Sequence, residues 1–342
     1  MSTVTEHVVR TGDHHQTFYL AAGPADGPPV IFCHGWPELS HSWRHQLACL
    51  ADLGFRAIAP DMRGYGRSTV YGRHEDYALE RIVGDMIGLA DALGIERPVW
   101  VGHDWGAPAV WSIASHHPER CLAVANLCVP YGALEKGLDA ALPLIDRTVY
   151  PEDDYPAGQW EYQRFYEESF DAAIAPFDAD PYRAVKALFR AGSAKGRGLP
   201  SRTAAVRKDG GWFGGVDVAP DVPRDPAVLS EADLSIYAAA LARNGFFGPS
   251  SWYMNHARNA EYAARAANDG RLEMPVLFLA ASYDYTCECI DSRLAEPMHG
   301  LCSDLTWREI ASGHWMAQEK PVEVNAALVH WLATGVSGAW PR

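Results

Sequence analysis

Ten residues, Val99-Trp-Val-Gly-His-Asp-Trp-Gly-Ala-Pro, constrain this chain more than any other stretch. An apolar run of strand type passes through Gly102-x-Asp104-x-Gly106 into a segment of small residues that reads as a helix start. Small flanking residues permit a sharp strand-to-helix turn that projects the central side chain, the arrangement of a nucleophile elbow. The N–H that follows then faces the reacting centre from the positive end of a helix. A blander reading makes Asp104 a helix cap, but a cap needs no glycine on both sides.

An elbow of this kind belongs to an α/β sheet, and the rest of the chain reads accordingly. Apolar runs predict strands over Thr17–Ala21, Pro29–Cys33, Arg56–Ala59, Pro98–Gly102, Leu122–Leu127, Pro275–Ala280 and Leu305–Ile310. Helical periodicity predicts helices over Ser40–Leu53, Ala78–Leu93, Ala107–His116 and Pro321–Leu332. Strands alternating with helices imply a mostly parallel sheet covered on both faces. The alternation stops near Val129-Pro-Tyr-Gly and resumes near Met274-Pro-Val. Between them lie aromatic-rich helical stretches, Gln159–Ala172, Pro181–Ala191, Glu231–Arg243 and Ser251–Ala266. The Gly/Pro/Asp-rich segment Ala194–Asp225 is expected to be a long ordered loop. The simplest organisation is a core of residues 1–132 and 267–342 with a helical lid, 133–266, inserted between its strands.

Composition narrows the partners. The 342 residues carry 29 basic and 43 acidic side chains, a net charge of −14, which repels phosphate backbones and anionic membrane surfaces. Neither nucleic acid nor membrane is an expected partner. The start lacks a basic segment followed by an apolar run, and no apolar run approaches the ~20 residues that span a bilayer. The seven cysteines, several of them in apolar, strand-like contexts such as that of Cys33, fit reduced, buried thiols and a cytoplasmic location. Cys287-Glu-Cys289 has the wrong spacing for a zinc knuckle or redox pair. Gly64-Tyr-Gly66 lacks the third glycine of a dinucleotide loop, and His41 and His45 show no third metal ligand nearby.

A carboxylate at the elbow dictates the chemistry. Serine suits acyl transfer, and no Gly-x-Ser-x-Gly occurs. Carboxylate displaces at saturated carbon and leaves an ester that must then be hydrolysed. Hydrolysis needs an activated water and donors for the oxyanion. Ser312-Gly313-His314 follows a strand-like run and makes His314 the candidate base. Asp284, soon after strand Pro275–Ala280, is the candidate acid in the chain order nucleophile, acid, base, with Glu288 and Asp291 as lesser alternatives. The turn Ile31-Phe-Cys-His-Gly-Trp36 supplies a second N–H loop, so the Trp36 and Trp105 N–H groups are the candidate oxyanion donors.

His34-Gly-Trp-Pro37, Asp61-Met-Arg-Gly-Tyr-Gly-Arg-Ser68, Gly102-His-Asp-Trp-Gly106, Asp284 and Gly313-His314 together resemble the α/β-hydrolase superfamily and, within it, epoxide hydrolases. That resemblance implies conversion of an epoxide to a vicinal diol through an aspartyl ester, with no metal or organic cofactor. It implies two lid tyrosines that bind and protonate the epoxide oxygen. Ser251-Trp-Tyr253-Met-Asn255 suggests Tyr253, and Glu161-Tyr162-Gln163 suggests Tyr162, with Tyr166 in reserve. Phenols, with pKa about 10 unperturbed, can donate to a developing alkoxide at neutral pH. His34, Pro37, Trp105, Tyr162 and Tyr253 are implied to line the substrate. The alternative is a haloalkane-type dehalogenase using the same Asp104, His314 and Asp284. Related dehalogenases often carry Asn where this chain has Trp36, and fluoroacetate dehalogenases Arg where it has Trp105. The expected partners are an epoxide and water, in a monomer or homodimer. Trp160, Phe165, Phe246 and Phe247 are expected to shape a pocket for a hydrophobic, aryl-bearing epoxide.

Overall fold

The structure is a computed structural model that describes residues 3–12 and 14–341. Met1 and Ser2, on which the expected lack of a leader partly rests, lie outside the described residues, as do Asp13 and Arg342. Among the described residues eight strands form one sheet: β1 (Thr5–Arg10), β2 (Gln16–Ala22), β3 (Pro29–Cys33), β4 (Arg56–Pro60), β5 (Val99–His103), β6 (Ala123–Leu127), β7 (Val276–Ala281) and β8 (Leu305–Ile310). Their order is β1-β2-β4-β3-β5-β6-β7-β8. The first two pairings are antiparallel and the remaining ones parallel.

Every residue of β5, β6 and β7 is buried, which is why these strands read as unbroken apolar runs. β1 escaped the sequence reading because it is the exposed edge of a hairpin, with a polar sequence and no apolar run. Helices α1 (Arg44–Asp52), α2 (Leu79–Ala92) and α3 (Gly106–His116) follow strands of the first half. The expected helix from Ser40 begins as one 3-10 turn, Ser40–Trp43, before α1.

Between β6 and β7, which pair with each other, the chain is helical: α4 (Glu161–Ala179), α5 (Pro181–Leu188), α6 (Glu231–Asn244), α7 (Phe247–Ser251) and α8 (His256–Ala263). The stretch 194–225 is loop with short helical turns. The last helix, α9 (Pro321–Thr334), packs against α1 and β8. Among the described residues no helix is long and apolar enough to cross a membrane. The cysteines are free, and all but Cys49 are buried.

Candidate active site

The C-terminal ends of β3, β5 and β7, with the loop after β8, converge on Asp104. Its backbone has φ +49°, the left-handed region that side chains enter only under constraint. The constraint is the turn from β5 into α3, where Ala107 N–H bonds the Asp104 carbonyl at 2.9 Å. A Cβ on Gly106 would lie 2.1 Å from the Cys33 carbonyl oxygen, so glycine alone lets α3 approach β3 this closely. Gly35 is held by the same logic: a Cβ there would lie 2.3 Å from Asp104 Oδ1 and 2.4 Å from the Trp105 nitrogen.

That close approach creates the donor site. Trp36 N–H donates to Asp104 Oδ1 at 2.6 Å. The Trp105 N–H, on the neighbouring turn, has no acceptor among the described residues. On the other side His314 Nε2 lies 3.3 Å from Asp104 Oδ2, and its Nδ1 donates to Asp284 Oδ2 at 2.6 Å. The remaining Asp284 oxygen accepts the Thr286 and Cys287 N–H groups, each at 3.1 Å. Glu288 instead accepts from Ile290 and Asp291 N–H, and Asp291 pairs with Arg197 at the surface, so of the three acids only Asp284 reaches the ring. Burial opposes charge on both partners. Their mutual attraction outweighs it, holding the Asp284 carboxyl below its usual range and His314 well above the ordinary imidazole value.

Sequence reasoning gave no role to a second buried pair beneath this one. His103 Nδ1 meets Glu38 Oε2 at 2.7 Å, and its Nε2 donates to the His314 carbonyl at 2.7 Å. Burial disfavours the Glu38 carboxylate, but the charge and hydrogen bond of His103 lower its pKa to about 2. An ionised carboxylate and a carbonyl both only accept, so His103 ties the Glu38 carboxylate to the backbone of His314 through its two ring nitrogens. Its ring centroid lies 4.8 Å from that of His314. The available signal was an ionisable side chain within each motif, Gly102-His103-Asp104 and His34-Gly-Trp-Pro-Glu38. Cys128 adds a second bond to the His314 carbonyl at 3.3 Å.

The helical region closes the opposite side with aromatic rings. Tyr162 and Tyr253 meet edge-on at 5.4 Å, and Tyr253 meets Trp105 at 5.3 Å. Gln163 Nε2 donates to the Tyr162 hydroxyl at 2.9 Å, which leaves that O–H free to donate elsewhere. The Tyr253 hydroxyl makes no hydrogen bond to the described residues. Burial, then neighbouring charge including that of Asp104, pushes both phenols well above their usual range, so both stay protonated. Tyr166 lies flat on Tyr253 at 4.7 Å and feels Ser250, Trp212 and Asp178 rather than Asp104. Tyr162 is therefore the better placed of the two.

His34 departs from its expected role. It is fully buried, with Nδ1 on the Gly35 carbonyl and Nε2 accepting the Met62 N–H. Neither nitrogen is left for a substrate, and the ring braces the loop that carries Trp36. Pro37, joined to Trp36 by a cis peptide bond, is buried in that same loop. Phe246 adjoins Trp36, whereas Phe247 packs on His74 and Tyr77, outside this cluster. Phe177 and Trp212, which meet Trp36 at 5.4 and 5.7 Å, were not anticipated. Their distance in sequence from the motifs hid them. Two groups of candidate metal ligands, His103–Cys128–His314 and Asp284–Cys287–His314, share His314. An ion there would compete for a ring whose two nitrogens already face Asp284 and Asp104.

Residues 28–321 match the family model described as alpha/beta hydrolase fold. Epoxide hydrolase A of Mycobacterium tuberculosis is 36% identical over 97% of this chain and 98% of its own length. Bifunctional epoxide hydrolase 2 of Sus scrofa is 33% identical over 90% of this chain, which spans about half (52%) of that longer protein. The crystal structure of epoxide hydrolase A from Mycobacterium thermoresistibile superposes with a TM-score of 0.78 at 30% identity, covering 97% of this chain and 99% of that one. With these relatives and this sheet, the chain belongs to the α/β-hydrolase family and, within it, to the epoxide hydrolases.

Proposed function

We propose that this enzyme opens an epoxide through a covalent ester on Asp104. Asp104 Oδ2 attacks one epoxide carbon while the C–O bond on the far side breaks. The released oxygen takes a proton from the Tyr162–Tyr253 pair, giving a β-hydroxy ester. His314 Nε2 then removes a proton from water, and the hydroxide formed adds to the ester carbonyl carbon. Negative charge gathers on Oδ1, where the Trp36 N–H already sits and the Trp105 N–H has room for a second bond. Collapse expels the diol oxygen, which takes the proton held by His314, and the Asp104 carboxyl left behind gives up its proton to solvent as the tyrosinate takes one back, restoring both groups. The sum is epoxide plus water to vicinal diol, with no metal or organic cofactor in any step. The helices between β6 and β7 act as the cap that carries the acids and keeps bulk water from the ester. Such preorganised donors are worth roughly 10²–10³ in rate apiece.

The observation that carries the reading is the division of the Asp104 carboxylate: one oxygen held by the Trp36 N–H, the other facing a histidine oriented by Asp284. Styrene oxide in single turnover, enzyme in excess in H₂¹⁸O, tests it. The added diol oxygen should come from Asp104, so the first diol is unlabelled and the label appears in the Asp104 peptide. Label in the first diol would mean direct attack by water. His314→Gln should form the ester, seen as a mass adduct, and release it far more slowly.

A further inference from the structure

Residues 210–215 read Gly-Gly-Trp-Phe-Gly-Gly. All four glycines and Phe213 have positive φ, from +57° to +150°. Glycine enters that region without steric cost, so this short stretch can reverse direction sharply around one large side chain. The result is an inverted burial pattern. Asp209, Gly210 and residues 214–218 are exposed, while Trp212 between them is only 8% exposed.

The buried indole reaches the reaction site. It stacks on Trp36 at 5.7 Å and 21°, and meets Tyr162 and Phe177 at 5.5 Å each. It therefore touches both the residue whose N–H holds Asp104 Oδ1 and a tyrosine placed to protonate the epoxide. Its Nε1–H makes no hydrogen bond of good geometry among the described residues, and the Tyr166 hydroxyl is a polar neighbour of the ring. Ring packing against Trp36, Tyr162 and Phe177 seats it. A side chain in this place bounds the space on one side of the bond being broken.

We propose that Trp212 is a specificity-determining residue, a wall that confines this enzyme to epoxides bearing a single large apolar group. A substrate seated with its oxygen on Tyr162 and Tyr253 and one carbon on Asp104 brings any group on its far carbon against the Trp212 ring. A terminal epoxide with one aryl arm fits, and a trans-disubstituted epoxide with two aryl arms collides. The inference rests on the reaction proposed above.

The experiment compares kcat/KM for trans-stilbene oxide and styrene oxide in the wild type, Trp212→Ala, Trp212→Leu and Trp212→Phe, with folding checked by circular dichroism. The stilbene/styrene ratio should rise about tenfold or more in Trp212→Ala, the scale on which pocket shape discriminates apolar groups. It should rise less in Trp212→Leu and least in Trp212→Phe. A ratio within twofold of the wild type in every folded variant overturns the proposal, because a merely structural tryptophan would lower both rates together. If Trp212→Ala does not fold, the leucine and phenylalanine variants decide in the same way. Absence of diol from every epoxide with the wild type would instead overturn the reaction assignment.

Discussion

In the reaction proposed above His314 must act in two opposite states, and the charges around it suit both. Beside ionised Asp104 and Asp284 it is held well above the usual imidazole range despite its burial. Alkylation of Asp104 removes one of those negative charges and the hydrogen bond to Nε2, so the pKa of the ring falls and it becomes a base when an ester exists to hydrolyse. Ester breakdown should thus rise with pH through a pKa lower than that of His314 in the free enzyme. Stopped-flow tryptophan fluorescence across pH 5–10 reads it, and a breakdown rate that is flat or falls with pH would contradict the scheme. Asp284→Asn keeps the shape but loses the charge and tautomer control. Breakdown should slow on the order of 10³–10⁴-fold, as for orienting acids elsewhere, with ester formation much less affected. Linkage gives His314 a stability signature too: a raised folded pKa adds stability that is full below about 6.5 and lost as pH rises through the folded value. Glu38 is a separate case. Glu38→Ala would remove the buried carboxylate that meets His103 Nδ1 and accepts the Gly35 N–H, leaving buried polar groups unpaired at a cost of about 1–3 kcal/mol each. Urea unfolding measures it, and a loss below 1 kcal/mol would mean that the buried Glu38–His103 contact does not hold this part of the fold.

At the scale of elements, the loop after β3 does what no single residue does. His34, pinned by Met62 N–H and the Gly35 carbonyl, sets its path, and Gly35 lets it lie against the elbow. Gly35→Ala places a Cβ into the Asp104 carboxylate and the Trp105 nitrogen. Both oxyanion donors should be pushed out of position, and ester hydrolysis should fall at least 10²-fold while the far-ultraviolet spectrum stays native. Unchanged hydrolysis would remove Trp36 N–H from the mechanism. Elements were legible in the sequence where one force dominated. β3, β5, β6 and β7 are buried on both faces and so spell out apolar runs. The elbow glycines mark a close approach that no other residue tolerates. The helical region was less legible because tertiary contacts override its periodicity. The helix expected over Ser251–Ala266 breaks at Trp252–Met254, where the Asn255 amide donates to the Ser251 and His74 carbonyls. The Glu161 helix runs on to Ala179 through a kink at Ser169. The contact of Trp212 with Trp36 depends on a loop whose course no local pattern encodes.

At the scale of the molecule, the helical insertion and the sheet are too interlocked to melt apart. Asp233 on α6 accepts from His41 at 2.7 Å and pairs with Arg44 at 3.1 Å, both preceding or opening α1. The hydroxyls of Ser42 and Tyr237 are 2.6 Å apart. Trp315 Nε1 donates to the Leu188 carbonyl, Gly192 N–H to Glu319, and Trp36 Nε1 to Ser250. These ties cross the boundary at several separate places, so opening the insertion alone would strip polar partners from buried groups on both sides. Calorimetry should give one transition with equal calorimetric and van't Hoff enthalpies, and two resolved transitions would show independent units. Acid tests the same boundary at one residue. Burial disfavours the Asp233 carboxylate, yet Ser230 and His41 bind it and lower its pKa to about 2. A depressed pKa contributes stability that is present above the unfolded value of about 3.9 and lost as pH falls toward 2. Asp233→Asn should therefore destabilise the protein by about 2 kcal/mol at pH 7, with the gap closing between pH 4 and pH 2. A gap that persists unchanged at pH 2 would mean that the carboxylate charge does not hold the insertion to the sheet.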